Sequence, residues 1–257
     1  MTPRRRTGQT FRVTRNQKIP AAVLSHLSAD LQAGGVAIFP TETVYGIGTS
    51  VFSLAGIQRI YELKGRSWRK PLALLVHSLE AARPLVETIP PEAQRLAEQF
   101  WPGPLTLVFK ASPLGKLVTG GLATIGVRIP DHPLALALLR KVGVPLATTS
   151  VNRSGHSPAI SGAAAARLFG SRVEWVIDMG VCRMKTASSV VDLSSYPFTV
   201  VREGMISKKT LEAALTRPAG TLSLKGEGLR HRRTKGVDVG LLPSGRRWPK
   251  GRMRGAS

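Results

Sequence analysis

Hydrophobic residues follow two alternating patterns along most of this chain. From Ile19 to Leu31 they recur every three or four positions, as on one face of a helix, and Gly34-Gly35 ends the segment. Val36 to Phe39 then form a short continuous apolar run, which is typical of a buried strand. The same alternation predicts further helices over Leu54–Leu63, Pro90–Phe100, Pro133–Lys141 and Lys208–Leu215, and further strands over Leu72–Val76, Leu105–Phe109, Thr124–Ile129, Pro145–Thr149, Trp175–Ile177, Val190–Leu193 and Thr199–Val201.

Interleaved helices and short buried strands indicate a layered α/β domain. The strands predicted after Trp175 follow one another too closely for crossover helices, so we expect a mixed sheet. The pattern predicts a folded body over residues 19–216. Residues 1–18 are expected to form a basic N-terminal arm, and residues 217–257, rich in Gly, Arg and Lys without apolar periodicity, a basic and flexible tail.

Charge is concentrated at the two ends of the chain. The 257 residues carry a formal charge of +22, from 37 basic and 15 acidic side chains. Residues 1–18 hold six Lys or Arg and no acidic residue, and residues 208–257 hold thirteen basic against three acidic residues. Such ends are typical of solvated tails or of contacts with nucleic acid, and the sequence leaves both interpretations open.

Several classes of protein are disfavoured by what the sequence lacks. The single Cys182 cannot form an internal disulfide, which favours a reducing compartment and hence the cytoplasm, although the Arg-rich start leaves organelle import open. No apolar run approaches the roughly 20 residues that span a bilayer, so we expect no membrane contact. Phosphate-loop, zinc-protease and hydrolase motifs do not occur.

A basic loop is the first candidate for chemistry. Residues 64–70 place four positive charges between a predicted helix and a buried strand, which predicts an anion site. Lys64 and Arg66 lie two positions apart, so in an extended loop they would project to the same side. The alternative is a solvated basic loop.

Three further segments follow or contain predicted strands. Residues 148–155 offer hydroxyl and amide groups at a strand end, where ligands of α/β sheets gather, but a self-bonded turn explains them equally well. Residues 40–48 follow another strand and fit a plain turn. Arg128, flanked by apolar residues, needs an anionic partner, which is either a ligand or a structural salt bridge.

Taken in order, these segments resemble the YrdC-type family of threonylcarbamoyl-AMP synthases, over roughly residues 19–207. The resemblance depends on P-T-E-T-V-Y-G-I-G at 40–48, K-G-R at 64–66, K-P-L at 70–72, W-P-G-P-L-T-L at 101–107, T-I-G-V-R-I-P at 124–130, S-V-N-R-S-G at 150–155, S-S-V-V-D-L at 188–193 and V-R-E-G at 201–204. Ser67, Ser189 and Glu203 depart from the family's usual residues.

The resemblance implies a twisted α/β sheet around a concave, positively charged cavity. It implies ATP, L-threonine and bicarbonate as substrates, Mg²⁺ bound with ATP and not by the protein, and a product used by transferase proteins that make N6-threonylcarbamoyladenosine in tRNA. The implied catalytic residues are Lys64, Arg66, Ser150 and Asn152. The implied ATP-binding residues are Lys64, Arg66, Lys70, Thr124, Asn152 and Arg202. The implied threonine-binding residues are Thr43, Arg128, Ser150 and Ser188.

Two other functions remain open on the sequence alone. A non-catalytic RNA-binding protein would use the same positive cavity and the basic ends. A related module could form a different carbamoyl adenylate.

Overall fold

The computed structural model describes residues 9–13 and 19–216. These residues form one mixed sheet with helices on both faces. The strands are β1 (Gln9–Arg12), β2 (Ala37–Phe39), β3 (Gly46–Ser50), β4 (Ala73–Leu75), β5 (Leu105–Lys110), β6 (Thr124–Arg128), β7 (Leu146–Ser150), β8 (Trp175–Asp178), β9 (Ser189–Asp192) and β10 (Thr199–Arg202). The helices are α1 (Ala21–Gln32), α2 (Leu54–Lys64), α3 (Pro91–Phe100), α4 (Pro113–Val118), α5 (Pro133–Val142), α6 (Gly162–Phe169) and α7 (Lys208–Thr216).

The strand order is β1-β8-β2-β3-β7-β4-β6-β5-β9-β10. Four neighbouring pairs are parallel (β1/β8, β2/β8, β4/β6 and β5/β9), and the other five are antiparallel. The expected mixed α/β sheet is therefore confirmed. Two antiparallel pairs, β2/β3 and β9/β10, are joined by short connections without a helix, as close strand spacing allows.

The helices cover the two faces of the sheet unequally. Helices α2, α3, α6 and α7 contribute to the larger apolar cluster on one face. On the other face α1 and α5 pack against each other and over β2 and β8, where Leu27 and Leu138 meet Phe39 and Ile177. Leu75 lies at the edge of this second cluster. Leu75 also lines a cavity on this face, together with Ala73 and Gly126 of the neighbouring sheet positions.

Local sequence sets where the helix before the basic loop begins and ends. Ser53 caps the start of α2, where its side chain accepts a hydrogen bond from the Gly56 amide at 3.0 Å. Gly65 ends the helix in the left-handed conformation, with φ of 58°. The Gly65 cap therefore fixes the direction in which the basic loop leaves α2.

The hydrophobic pattern did not predict β1, β3, α4 or α6. Strand β1 lies within the segment expected to be a free basic arm, but it pairs in parallel with β8. Its Arg12 contacts Asp178 at 3.6 Å. The rest of the arm and the whole of the tail predicted over 217–257 lie outside the described residues. Within the described ranges no helix has the length and apolarity needed to cross a bilayer.

Candidate active site

A cavity of about 280 Å³ lies on the face of the sheet that carries Leu75. Its floor is a row of cross-strand neighbours, in which Thr148 pairs with Ala73, Ala73 with Gly126 and Gly126 with Val108. These side chains are small, so the floor lies close to the backbone. A Cβ atom on Gly126 would lie 3.3 Å from Thr106 Cγ2. The floor thus crosses four adjacent strands, and it is lowest at Ala73 and Gly126, whose side chains are the smallest of the row.

Arg128 is held in a fixed orientation at the end of β6. Its Nη2 donates to Glu42 Oε1 at 2.6 Å and to Thr43 Oγ1 at 2.9 Å, and its Nε donates to the Gly103 carbonyl at 3.0 Å. The Arg128 side chain is 9% exposed and that of Glu42 is 1% exposed. The buried salt bridge that the sequence left open is therefore present, yet Arg128 also lines the cavity.

Arg66 reaches the cavity from the loop after α2. Its Nε donates to the Lys70 carbonyl and its Nη2 to the Pro71 carbonyl, both at 3.0 Å. Trp68 of the same loop stacks on Tyr61 with ring centroids 4.0 Å apart. Burial lowers the pKa of the Arg66 guanidinium, an effect that Tyr61 partly offsets. The loop is therefore an ordered structure braced by its own backbone carbonyls.

Arg202, at the end of β10, also lines the cavity. A register shift after Val200 places Arg202 opposite Val190, which also lines the cavity. Its Nη2 donates to the Ser188 carbonyl at 2.7 Å and to Ser188 Oγ at 3.2 Å. Burial lowers the pKa of Arg202, and the nearby Arg128 and Arg66 lower it further. Arg128 and Arg66, which lie on other elements, are thus close enough to repel Arg202.

Lys64 lies behind the cavity wall and joins the basic loop to the turn after β7. Its ammonium donates to the Ser150 carbonyl, to the Asn152 carbonyl at 2.8 Å and to Asn152 Oδ1 at 2.9 Å. Ser150 Oγ donates to the same Asn152 oxygen at 2.7 Å. All three ammonium hydrogens are therefore used within the protein. Burial and, secondarily, Arg66 lower the pKa of Lys64 to about 8.

The expectation that Lys64 and Arg66 project to one side of an extended loop is wrong. Lys64 is the last residue of α2, and Gly65 ends the helix in the left-handed conformation, so Lys64 and Arg66 do not belong to one extended segment. Lys64 consequently points toward the turn at Ser150, whereas Arg66 points toward the cavity. The two predicted segments nevertheless meet, because the Ser154 amide also donates to the Lys64 carbonyl at 3.0 Å.

Hydroxyl groups complete the cavity lining. Ser188 Oγ lies 3.0 Å from Thr106 Oγ1, and both residues are buried. Thr43 is fully buried and hydrogen-bonds Thr41 at 2.9 Å. These groups provide donors and acceptors between the arginines.

Seven of the ten residues singled out from the sequence line one cavity. They are Thr43, Arg66, Thr124, Arg128, Ser150, Ser188 and Arg202. Lys64 and Asn152 contact the cavity residue Ser150 from behind. Lys70 is exposed and does not line the cavity, although its carbonyl holds Arg66. Sequence reasoning treated both Thr106 and Glu42 only as parts of motifs and assigned neither a role.

A second and larger cavity, of about 620 Å³, lies on the other side of Glu42. Its walls are mainly apolar and include Leu24, Leu134 and Met179. None of the ten residues lines it, so we assign the candidate site to the smaller cavity. Among residues 9–13 and 19–216 no group of three or more His, Cys, Asp or Glu could hold a metal ion.

Comparisons with known proteins identify relatives of this chain. A family profile described as Telomere recombination, of the Sua5/YciO/YrdC type, matches residues 29–204. A protein of Pyrococcus abyssi named Threonylcarbamoyl-AMP synthase is 38% identical over 186 residues, which are 72% of this chain and 55% of that protein. A protein of Mycobacterium tuberculosis named Putative threonylcarbamoyl-AMP synthase is 33% identical over 215 residues, which are 83% of this chain and 98% of that protein.

A solved structure described as P. abyssi Sua5 complexed with L-threonine superposes with a TM-score of 0.76. It is 35% identical and the match covers 81% of this chain and 61% of that one. The present chain therefore spans between half and two thirds of the archaeal relatives, while it matches almost the full length of the mycobacterial one.

Proposed function

The chain belongs to the Sua5/YciO/YrdC family, and on that premise we propose that its cavity joins L-threonine and bicarbonate to the AMP part of ATP. The product is threonylcarbamoyl-AMP, and pyrophosphate leaves. The observation that carries the proposal is the convergence of Arg66, Arg128 and Arg202 on one cavity. Three neighbouring cations repel one another unless an anion lies among them, so they favour a polyanionic ligand.

The reaction can be written with these groups in place. The threonine amine attacks bicarbonate to form a carbamate and releases water. A carbamate oxygen then attacks the α-phosphorus of ATP as the bond to pyrophosphate breaks. Negative charge grows on the leaving pyrophosphate, and fixed cations stabilise it without a protein nucleophile.

The cavity divides into two ends on this proposal. Arg66, Arg202 and Thr124 bind the nucleotide and its phosphates. Arg128, whose planar fork suits a carboxylate or carbamate, binds the threonine end together with Thr43 and Ser188. Ser150 lies between the ends and contacts the intermediate.

Lys64 and Asn152 act mainly through the turn that they hold. Since the Lys64 hydrogens are all donated to Ser150 and Asn152, the ammonium orders these residues and adds positive charge behind the phosphates. Lys70 contributes long-range charge and the carbonyl that braces Arg66.

Mg²⁺ enters this proposal as part of the ATP substrate. Phosphate oxygens and water satisfy the preference of Mg²⁺ for oxygen ligands, so the ion needs no cage of protein carboxylates. The adenylate then serves threonylcarbamoyl transferases that modify tRNA. RNA contact through the basic ends is a separate proposal, considered in the Discussion.

The test is a pyrophosphate-release assay on the full chain with ATP, Mg²⁺, bicarbonate and threonine. We expect release that depends on both threonine and bicarbonate. Arg66→Ala should lower turnover by at least about tenfold, as loss of a charge-stabilising group does. Arg83→Ala is the matched control, because Arg83 is 63% exposed and pairs with Glu80 three residues away.

Two outcomes would replace the proposal. Absence of release, with RNA binding retained, would indicate a non-catalytic RNA-binding protein. Release that ignores threonine would indicate a module that makes another carbamoyl adenylate.

A further inference from the structure

Glu42 is a buried anion that pairs with Arg128, one of the three arginines that line the cavity. We propose that Glu42 is a positioning residue, which fixes the Arg128 guanidinium and thereby sets the affinity of the cavity for the amino-acid substrate. This inference rests on the proposed function for the identity of that substrate. The fixing of Arg128 itself can be tested without any activity.

Contacts around Arg128 leave one end of its side chain available. Nε and Nη2 carry three hydrogens, and these bond Gly103, Glu42 and Thr43. Within the described ranges Nη1 has no protein acceptor, and it does not belong to the buried polar atoms that lack partners. Because Arg128 lines the cavity, the two Nη1 hydrogens are the ones that a ligand can meet.

Burial of the Glu42 carboxylate costs free energy, and fixing Arg128 gives a reason for that cost. The Glu42 side chain is 1% exposed, and among the described residues its Oε2 atom has no hydrogen-bond partner. A buried carboxylate oxygen without a donor costs about 1–3 kcal/mol. Buried ion pairs are often no more stabilising than apolar residues of similar volume. Stability alone therefore gives no reason for a carboxylate here.

Repulsion between the arginines of the cavity gives the reason for a carboxylate at position 42. Burial lowers the pKa of Arg202, and Arg128 and Arg66 lower it further, so each of these two cations repels Arg202. Without an opposing charge Arg128 would be pushed away from Arg202 and toward solvent. Glu42 offsets this repulsion from the side opposite the ligand, and its bond at 2.6 Å fixes the plane of the guanidinium.

Kinetics on the full chain test the consequence for substrate binding. Glu42→Gln keeps the shape and a hydrogen-bond acceptor but removes the charge. We expect the KM for threonine to rise at least about tenfold, because a displaced binding group loses alignment, while the KM for ATP changes less than about twofold. Glu42→Asp, which keeps the charge on a shorter side chain, should fall between wild type and Glu42→Gln.

The matched control is Glu80→Gln, since Glu80 pairs with Arg83 at the surface with a side chain 73% exposed. It should leave both KM values unchanged. Equal rises in the two KM values for Glu42→Gln, or an unchanged KM for threonine, would overturn the inference.

A spectroscopic measurement keeps the inference testable if a variant is inactive. The Nε–H signal of Arg128, assigned by its loss in Arg128→Lys, should exchange slowly with water in the wild type because Gly103 accepts its hydrogen bond. We expect exchange at least about tenfold faster in Glu42→Gln and no change in Glu80→Gln. Unchanged protection in Glu42→Gln would refute positioning even if activity fell.

The two measurements separate the two proposals. Faster exchange in Glu42→Gln combined with no threonine-dependent release from the wild type would leave the positioning role standing and remove the proposed function.

Discussion

Lys64 is the side chain whose protonation bears most directly on the site. It joins the end of α2 to the turn after β7, and the lowered pKa of about 8 brings its titration close to physiological pH. When the ammonium loses a proton, the turn loses one hydrogen bond and the cavity loses one positive charge. The activity should therefore weaken as the pH rises.

We predict that kcat/KM falls on the alkaline side with an apparent pKa near 8. Lys64→Arg, which stays charged, should lower the plateau but remove this fall. Bicarbonate and the threonine amine also change with pH, so both proteins must be measured in the same buffers. A fall with the same pKa in Lys64→Arg would assign it to another group.

The contribution of Lys64 to the free energy of unfolding should increase with pH over the range in which the activity falls. The pKa of Lys64 lies below its ordinary value of 10.5, so the folded protein holds fewer protons than the unfolded chain between about pH 8 and 10.5. Its contribution to the free energy of unfolding therefore rises with pH in that window. If alkaline unfolding caused the loss of activity, the free energy of unfolding would fall together with the activity. A denaturant titration at each pH therefore distinguishes unfolding from deprotonation of Lys64.

At the residue scale, the role of a side chain could be predicted where its immediate sequence neighbours imply one. Arg128 was recognised because a charge among apolar residues needs a partner. Glu42, its partner, lies 86 positions away, and nothing in the local pattern pairs them. The direction of Lys64 was mispredicted because a helix C-cap, and not an extended loop, follows from Gly65.

At the scale of elements, the periodic helices and apolar strands agree with the sequence pattern to within a few residues. Strand β3 was missed because its Gly46 and Gly48 break the expected apolar alternation. A Cβ on Gly48 would lie 2.9 Å from Thr148 Cγ2, so close strand packing requires the glycine. Helix α6 was overlooked although Ser161 caps it and alanines fill it.

The bulge in β10 explains how Arg202 comes to line the cavity, and no sequence pattern revealed it. In the register of Thr199 with Asp192, Arg202 would lie opposite Ser189. The shift after Val200 instead pairs it with Val190 and turns its side chain to the cavity face. Bulges commonly redirect side chains beside functional sites in this way.

The floor of the cavity gives a prediction about β6. Gly126→Val should fill the hollow above Thr106 and Ala73 and lower threonine-dependent release at least about tenfold, since larger side chains displace a bound ligand. The free energy of unfolding should change by no more than about 3 kcal/mol, because the added methyl groups face the cavity and not the packed core.

Gly126→Ala provides the graded control. Its single methyl meets Thr106 at 3.3 Å, so we expect a smaller loss than for valine. If valine leaves KM and kcat unchanged while the protein remains folded, the substrate does not use this floor.

On the scale of the whole molecule, the residues that line the candidate site all fall between Thr41 and Arg202. The strongest excess of charge lies elsewhere, in the thirteen basic and three acidic residues of 208–257. The two properties are therefore separable along the chain.

We predict that deleting residues 218–257 spares adenylate synthesis and weakens RNA binding. The slope of log K against log salt should decrease by about 0.9 for each duplex phosphate contact that is lost. Fluorescence anisotropy with a labelled tRNA, at several salt concentrations, measures both quantities. Equal affinity and equal slope in the two proteins would show that the tail does not contact RNA.

The cavity on the sheet has a practical consequence for handling the protein. Three guanidinium groups that line one cavity will attract whatever small anions the buffer contains, so sulfate and phosphate should compete with the nucleotide. Pyrophosphate, with its higher charge, should compete most strongly and slow the enzyme as it accumulates. Rates measured in chloride or acetate with added pyrophosphatase should therefore be higher than rates measured in a phosphate buffer.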